Sequence, residues 1–302
     1  MTTIKITKMQ GCGNDFVILD YEELQKMNME ISKAAKVLCD RHFGIGADGL
    51  IVPDTRPNGI TDIAWLFYNS DGTSAQMCGN GIRCFAKYVY DKGFVKSKKF
   101  SVMTLAGVII PEIQEDGTVK VDMGIPILED SKIPFHYNPP RLMGEGAVVV
   151  EQNAKLTNAG EGYNMVIQDK TFDITPVSMG NPHCVIFTDN DTMQMAKKYG
   201  PDIEIHQYFP EKTNTEFAKI ISKDEIELTV YERGCGITLA CGTGACATTV
   251  AAVLNNLTEE KVKVKLPGGA VYIDWSGTQE FSKRHIFMTG PAEYSFVADY
   301  ML

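Results

Sequence analysis

Cys78 and Cys241 are the residues whose context points to chemistry. Cys78 lies in Met77-Cys78-Gly79-Asn80-Gly81 and Cys241 in Ala240-Cys241-Gly242-Thr243-Gly244, and each follows a tyrosine, Tyr68 or Tyr231, by ten residues. Each Gly-x-Gly turn opens a predicted helix, which aims free backbone N–H groups and the positive end of the helix dipole at the thiol. A thiol so placed is expected to be acidified, and the N–H groups of Gly79-Asn80 and Gly242-Thr243 can hold a carboxylate. Two such thiols facing each other across a cleft suggest two-base chemistry. One thiolate removes a proton from one face of a carbon, the other thiol delivers one to the opposite face, and the stereocentre inverts with no cofactor.

A buried structural role is the commoner fate of a free cysteine, but duplication in this setting argues for chemistry. Metal binding is not expected: Cys78 and Cys84 are separated by five residues, Cys241 and Cys246 by four, wider than the tight pairs of structural zinc sites. Cys84 and Cys246 are expected on the inner faces of their helices and Cys184 in a strand, with Cys12, Cys39 and Cys235 read as structural.

The elements that position these turns also occur twice. Gly13-Asn14-Asp15-Phe16-Val17-Ile18-Leu19 matches Gly180-Asn181-Pro182-His183-Cys184-Val185-Ile186-Phe187 apart from small insertions, and Leu105-Ala106-Gly107 matches Pro267-Gly268-Gly269. Each second element follows its counterpart by 162 to 167 residues. Alternating patterns predict strands at 4–7, 16–19, 64–68, 262–266, 270–275 and 286–289 and a hairpin around Asp116-Gly117. Helical patterns run from Glu30 to His42, stopped by Gly44, and from Ile82 to Asp91, stopped by Gly93. In the second copy they run from Thr192 to Tyr199, stopped by Gly200-Pro201, and from Ala245 to Asn256. The expected fold is α+β: two pseudo-symmetric domains, each a mixed sheet curled, barrel-like, around a central helix. The expected domains are 1–126 with a terminal strand at 291–302, and 127–290. A polar link of about 126–173 carries turns at Tyr137-Asn138-Pro139-Pro140 and Asn158-Ala159-Gly160-Glu161-Gly162, with Val148-Val149-Val150 as a possible strand.

The chain has 302 residues, 44% apolar, and a net charge of −9 with no cluster of Lys and Arg. Phosphate-backbone binding therefore has no electrostatic basis, and nucleic acid is not an expected partner. No apolar run approaches the roughly 18 residues that span a bilayer. Met1-Thr2-Thr3-Ile4-Lys5 opens on a strand-like alternation rather than a signal peptide, so a soluble, cytoplasmic protein with free thiols is expected.

At these motifs, and at Gly11-Cys12-Gly13-Asn14-Asp15-Phe16, Gly44-Ile45-Gly46-Ala47-Asp48-Gly49, Gly180-Asn181-Pro182-His183, Thr213-Asn214 and Glu232-Arg233-Gly234, the sequence resembles the diaminopimelate epimerase family through nearly its whole length. The resemblance implies an isomerase that interconverts LL- and meso-diaminopimelate without pyridoxal phosphate, in lysine and peptidoglycan-precursor biosynthesis. It implies Cys78 and Cys241 as the acid/base pair, and His183 and Glu232 as neighbours that set their protonation. It implies Asn14, Asn69, Asn181, Asn214, Glu232 and Arg233 as substrate-binding, with Gly79-Asn80 and Gly242-Thr243 meeting the carboxylate at the reacting centre. No cofactor and a homodimer are implied as well. Another cofactor-independent racemase on the same scaffold, for example of histidine, or a non-catalytic amino-acid-binding protein, are the alternative readings.

Overall fold

A computed structural model describes residues 2–56, 59–137 and 163–302. The possible strand at Val148-Val149-Val150 and the turns at 138–140 and 158–162 lie outside them. The chain packs as two compact units: Met1–Asp122 with Gly268–Val271 and Phe287–Leu302, and Met123–Pro267 with Tyr272–Ile286.

The first half supplies β1 (Thr3–Gly11), β2 (Asn14–Ile18), α1 (Tyr21–Lys26), α2 (Ile31–Cys39), β3 (Gly49–Asp54), β4 (Ile63–Asn69), α3 (Gly79–Asp91), β5 (Val102–Thr104), β6 (Gly107–Ile109), β7 (Glu112–Ile113) and β8 (Val119–Asp122). The second supplies β9 (Tyr163–Ile167), β10 (Lys170–Ser178), β11 (Pro182–Phe187), α4 (Thr192–Glu204), β12 (Asn214–Ser222), β13 (Glu225–Glu232), β14 (Gly236–Ile237), α5 (Gly242–Leu254), β15 (Lys261–Leu266), β16 (Gly269–Asp274), β17 (Phe287–Gly290) and β18 (Glu293–Met301).

In the first unit the strand order is β18-β1-β2-β3-β4-β5-β6, with β2 and β3 parallel (Phe16 opposite Gly49) and β4 and β5 parallel. Alternation in Ile63-Ala64-Trp65-Leu66-Phe67-Tyr68 sends Trp65 and Phe67 to one face. There Trp65 meets Phe85 of α3 edge-on, with ring centroids 5.8 Å apart. Leu66 and Tyr68 go to the other face and pack with Ala34, Ala35 and Leu38 of α2. The hairpin around Asp116-Gly117 forms as β7 and β8, and β8 pairs with β17.

The second unit repeats this plan strand for strand. Its order is β9-β10-β11-β12-β13-β15-β16, with β14 alongside β13. β11 and β12 are parallel (His183 opposite Asn214), as are β13 and β15. α4 covers one face through Met195, Ala196, Tyr199 and Ile203, and α5 covers the other against β10, β11 and β12. The helices α3 and α5 have 13 residues each and are buried over most of their length, the central helices of two mixed sheets. Neither sheet closes into a barrel: β18 and β6 remain at opposite edges of the first among the described residues, and β9 stands at an edge of the second.

Several boundaries differ from the sequence expectation. Helices α3 and α5 begin at Gly79 and Gly242, not at Ile82 and Ala245, because the cysteine side chain caps the helix and the Gly-x-Gly turn is its first turn. α2 ends at Cys39 rather than His42, since the Asp40 carboxylate accepts the His42 and Phe43 N–H groups and closes the turn. α4 runs through Gly200-Pro201 to Glu204: Tyr199 and Ile203 both bury on its core face, and the missing side chain of Gly200 admits the Tyr231 ring, which a Cβ would meet at 2.6 Å. The end of the expected link is no linker, for Tyr163–Ile167 and Lys170–Ser178 pair as an antiparallel hairpin. Short α1 and apolar β3 carry no periodic signature strong enough to announce them.

Candidate active site

In the first unit the turn from β1 to β2 and the start of α3 come together. Cys78 holds an extended backbone, and its Sγ accepts the Gly81 N–H at 3.5 Å. The thiol in turn donates to Oδ1 of Asn14 at 3.5 Å, and Asn80 donates to the same oxygen through Nδ2 at 3.3 Å. Both asparagine amides are held in one orientation by ionic groups at the two ends of this hydrogen-bond series. Arg83, a donor only, gives Nη2–H to Oδ1 of Asn80 at 2.8 Å, and Asn14 gives Nδ2–H to the Asp48 carboxylate at 2.5 Å.

Asp48 belongs to a wider charge network. Arg41 bridges Asp48 and Asp15 at 2.7 and 2.8 Å, and Lys8 pairs with Asp15 at 2.7 Å. Burial alone would push the Asp15 carboxyl up, yet the hydrogen bonds from Arg41 and Lys8 hold it down at about 2. Asn69 ends β4 opposite Gly49, and its Nδ2 donates to Oγ1 of Thr73 at 3.0 Å. It shares the loop cluster, since Ser70 N–H reaches the Asp48 carbonyl at 3.0 Å.

The fully buried Arg83 was not evident from sequence. Its five donors go to the carbonyls of Pro291 and Gly79, Oδ1 of Asn80, and the sulfurs of Met288 and Cys12. The signal was there: a lone arginine within the buried stretch Gly79–Ala86 of a central helix needs acceptors, and a helix start offers them.

In the second unit Cys241 caps α5 in the same way, its Sγ accepting the Gly244 N–H at 3.4 Å and lying 3.5 Å from Oγ1 of Thr243. The parallel pairing of β11 with β12 sets the rest. Nδ1 of His183 lies 2.6 Å from Oε1 of Glu216, and Nε2 lies 3.0 Å from Oδ1 of Asn181. Asn214 donates to the Pro182 carbonyl at 2.9 Å and accepts the Arg233 N–H at 3.0 Å. The Glu232 carboxylate accepts the Thr238 hydroxyl, while the exposed Arg233 side chain donates to the Glu211 carbonyl at 3.0 Å.

The expected acidification is reversed at Cys241. Burial pushes its thiol well up, the carboxylates of Glu232 and Glu216 add to the rise, and the bonds from Thr243 and Gly244 only oppose it. Burial also raises Glu216, with His183 pulling the other way. Cys12, Cys39, Cys84, Cys184 and Cys246 are buried and not disulfide-bonded. Cys235 is not the packed residue expected: it is exposed, because the turn from β13 to β14 carries it out of the sheet. Among the described residues no group of three or more His, Cys, Asp and Glu is placed to hold a metal ion, and no helix is long and apolar enough to cross a membrane.

The fold is shared with solved structures of low sequence identity. A Bacillus anthracis phenazine biosynthesis protein of the PhzF family superposes with a TM-score of 0.68 at 13% identity, over the whole of both chains. A probable proline racemase from Agrobacterium radiobacter gives 0.65 at 12% identity, covering 99% of this chain and 93% of that one. The chain is thus a duplicated α+β protein of that fold. The sequence pattern described as "Diaminopimelate epimerase" matches it twice, at residues 6–129 and 175–295, and the chain belongs to the diaminopimelate epimerase family. Relatives bearing that name include those of Pelotomaculum thermopropionicum, 44% identical over 97% of this chain and 98% of its own length, and Carboxydothermus hydrogenoformans, 43% identical over 99% and 100%.

Proposed function

We propose that this protein is a diaminopimelate epimerase, an isomerase that interconverts LL- and meso-diaminopimelate in lysine and peptidoglycan-precursor biosynthesis through two thiols and no cofactor. The observation that carries the reading is the cysteine cap repeated at the start of both central helices, in a chain whose two halves each match the family pattern. Cys78 and Cys241 are the acid/base pair. One, as thiolate, takes the α-proton from one face of the carbon, and the other returns a proton to the opposite face.

Charge developing on the substrate carboxylate is met by the backbone N–H groups of Gly79-Asn80 and Gly242-Thr243 in the first turns of α3 and α5. Asn14, Asn69, Asn181 and Asn214 supply amides, and Glu232 and Arg233 a carboxylate and a guanidinium, for the amino and carboxyl groups of the substrate. His183 and Glu232 tune the thiols, His183 through its bonds to Glu216 and Asn181. Eight cysteines without a disulfide among them fit a reducing compartment, the cytoplasm, and we assign a homodimer as the assembly.

The test is proton NMR of the reduced protein with LL-diaminopimelate in D₂O. Loss of the α-proton with appearance of the meso isomer is expected. Exchange with histidine or another amino acid instead would keep the two-thiol chemistry and change the substrate, and exchange with none would overturn the reading.

A further inference from the structure

The two cysteine turns share their backbone and differ in what lies beneath them. A methyl group placed on Gly244 would sit 3.0 Å from Oε1 of Glu216 and 3.2 Å from Sγ of Cys241. The same methyl on Gly81 would meet Cδ1 of Ile51 and Cε1 of Phe16, each at 3.5 Å. Register makes this a like-for-like exchange. Phe16 pairs with Gly49 where His183 pairs with Asn214, so Ile51 and Glu216 each stand two residues further along the matching strand. The ionisable residues are exchanged on the helix too: five residues after its capping cysteine, α3 buries Arg83 and α5 buries Cys246.

We propose that Glu216 is a positioning residue that keeps Cys241 protonated in the resting protein, leaving Cys78 as the thiol that ionises first. This role rests on the two-thiol reading above. Cys241 has Glu216 on β12, Glu232 on β13 and His183 on β11 around it, with Cys246 on its own helix. The nearby turn adds Arg233, which is exposed, and Glu204, which accepts the Gly234 N–H and lies 3.7 Å from Lys212. His183 and Glu216 are both fully buried and 2.6 Å apart, so His183 holds the Glu216 carboxyl in place beside Cys241. The Glu216 carboxyl is held through Oε1 by His183, while Oε2 is buried without a side-chain partner among the described residues. A thiolate beside it faces a second acid and an apolar surround.

Cys78 is joined through Asn14 to Asp48 and through Asn14 and Asn80 to Arg83, and Asp48 and Asp15 are in turn paired with the cations Arg41 and Lys8. Ionising Cys78 gives up its S–H bond to Asn14 and keeps the Gly81 N–H. The upward push of burial and two carboxylates on Cys241 runs in the same direction.

The experiment is alkylation of the reduced full-length protein by iodoacetamide from about pH 5.5 to about pH 10, with the Cys78 and Cys241 peptides quantified by mass spectrometry. In the wild type the Cys78 midpoint should lie at least about one pH unit below that of Cys241. Glu216→Gln, which keeps a hydrogen-bonding group for His183, should raise Cys241 labelling at about pH 7 roughly fivefold and leave Cys78 within about twofold, and Glu216→Asp should restore the late Cys241 profile. Cys241 reacting at the lower pH in the wild type overturns the proposal with no variant needed. So does an unchanged Cys241 profile in a folded Glu216→Gln protein. Because the labelling uses no substrate, a failure of α-proton exchange would overturn the proposed activity and leave this result standing.

Discussion

At the scale of single residues, the thiols are the groups whose loss is most specific. Cys78→Ala and Cys241→Ala should each lower interconversion on the order of 10² to 10⁴-fold, read by the NMR assay. Substrate binding measured by calorimetry should fall far less, because neither sulfur is needed to hold a carboxylate or an ammonium group. Full turnover in either variant would sink the two-thiol mechanism. Arg83 works differently. It is fully buried and its donors serve two backbone carbonyls and Asn80, so Arg83→Met should cost about 3 kcal/mol in urea unfolding through the acceptors it strands. A loss below about 1 kcal/mol would mean that water or a neighbour satisfies those acceptors instead.

At the scale of elements, Gly200 is a place where geometry overrides a local signal. Gly-Pro ordinarily ends a helix, but here the Tyr231 ring lies where a side chain would project, and α4 gains a further turn with Ile203 in the core. Gly200→Ala should therefore destabilise the second unit by about 1 to 3 kcal/mol, seen as a lower urea midpoint, whereas a glycine inside a helix with open space beside it would be improved by alanine. The same contrast explains what the sequence made legible. Both cysteine turns could be read because cap, glycines and helix lie within a few residues of one another. Asn14 and Asn181 were visible as the shared Gly-Asn of the repeat. Glu216 was not, because its partner His183 is 33 residues away and reaches it only through the parallel register of β11 and β12. Strand β3, an apolar run ending in Pro53-Asp54, offers no alternation since both its faces are covered, by α2 on one side and α3 on the other.

At the scale of the whole molecule, acid should act through the network of Lys8, Asp15, Arg41 and Asp48. The Asp15 carboxyl is held at about 2 in the folded state and titrates near 3.9 when unfolded. Its folded value is depressed, so its contribution is complete above about pH 4 and is lost as pH falls toward about 2. The melting temperature should drop across that window, and Asp15→Asn should lower the melting temperature at neutral pH while flattening the drop. Equal acid sensitivity in the variant would place the weak point elsewhere. Sedimentation of the purified protein should give twice the mass of one chain if the homodimer assignment holds, and a single-chain mass would remove it.

The strand-for-strand match between the two units has a consequence for how such a catalyst can arise. A protein assembled from two identical copies of one half would be bound by its own symmetry to give both sulfurs the same acidity, and any mutation tuning one would tune the other. Joining the copies in a single chain lifts that constraint. Each half is then free to accumulate its own changes, and an isoleucine on one strand can stand opposite a glutamate in its twin without either being a compromise.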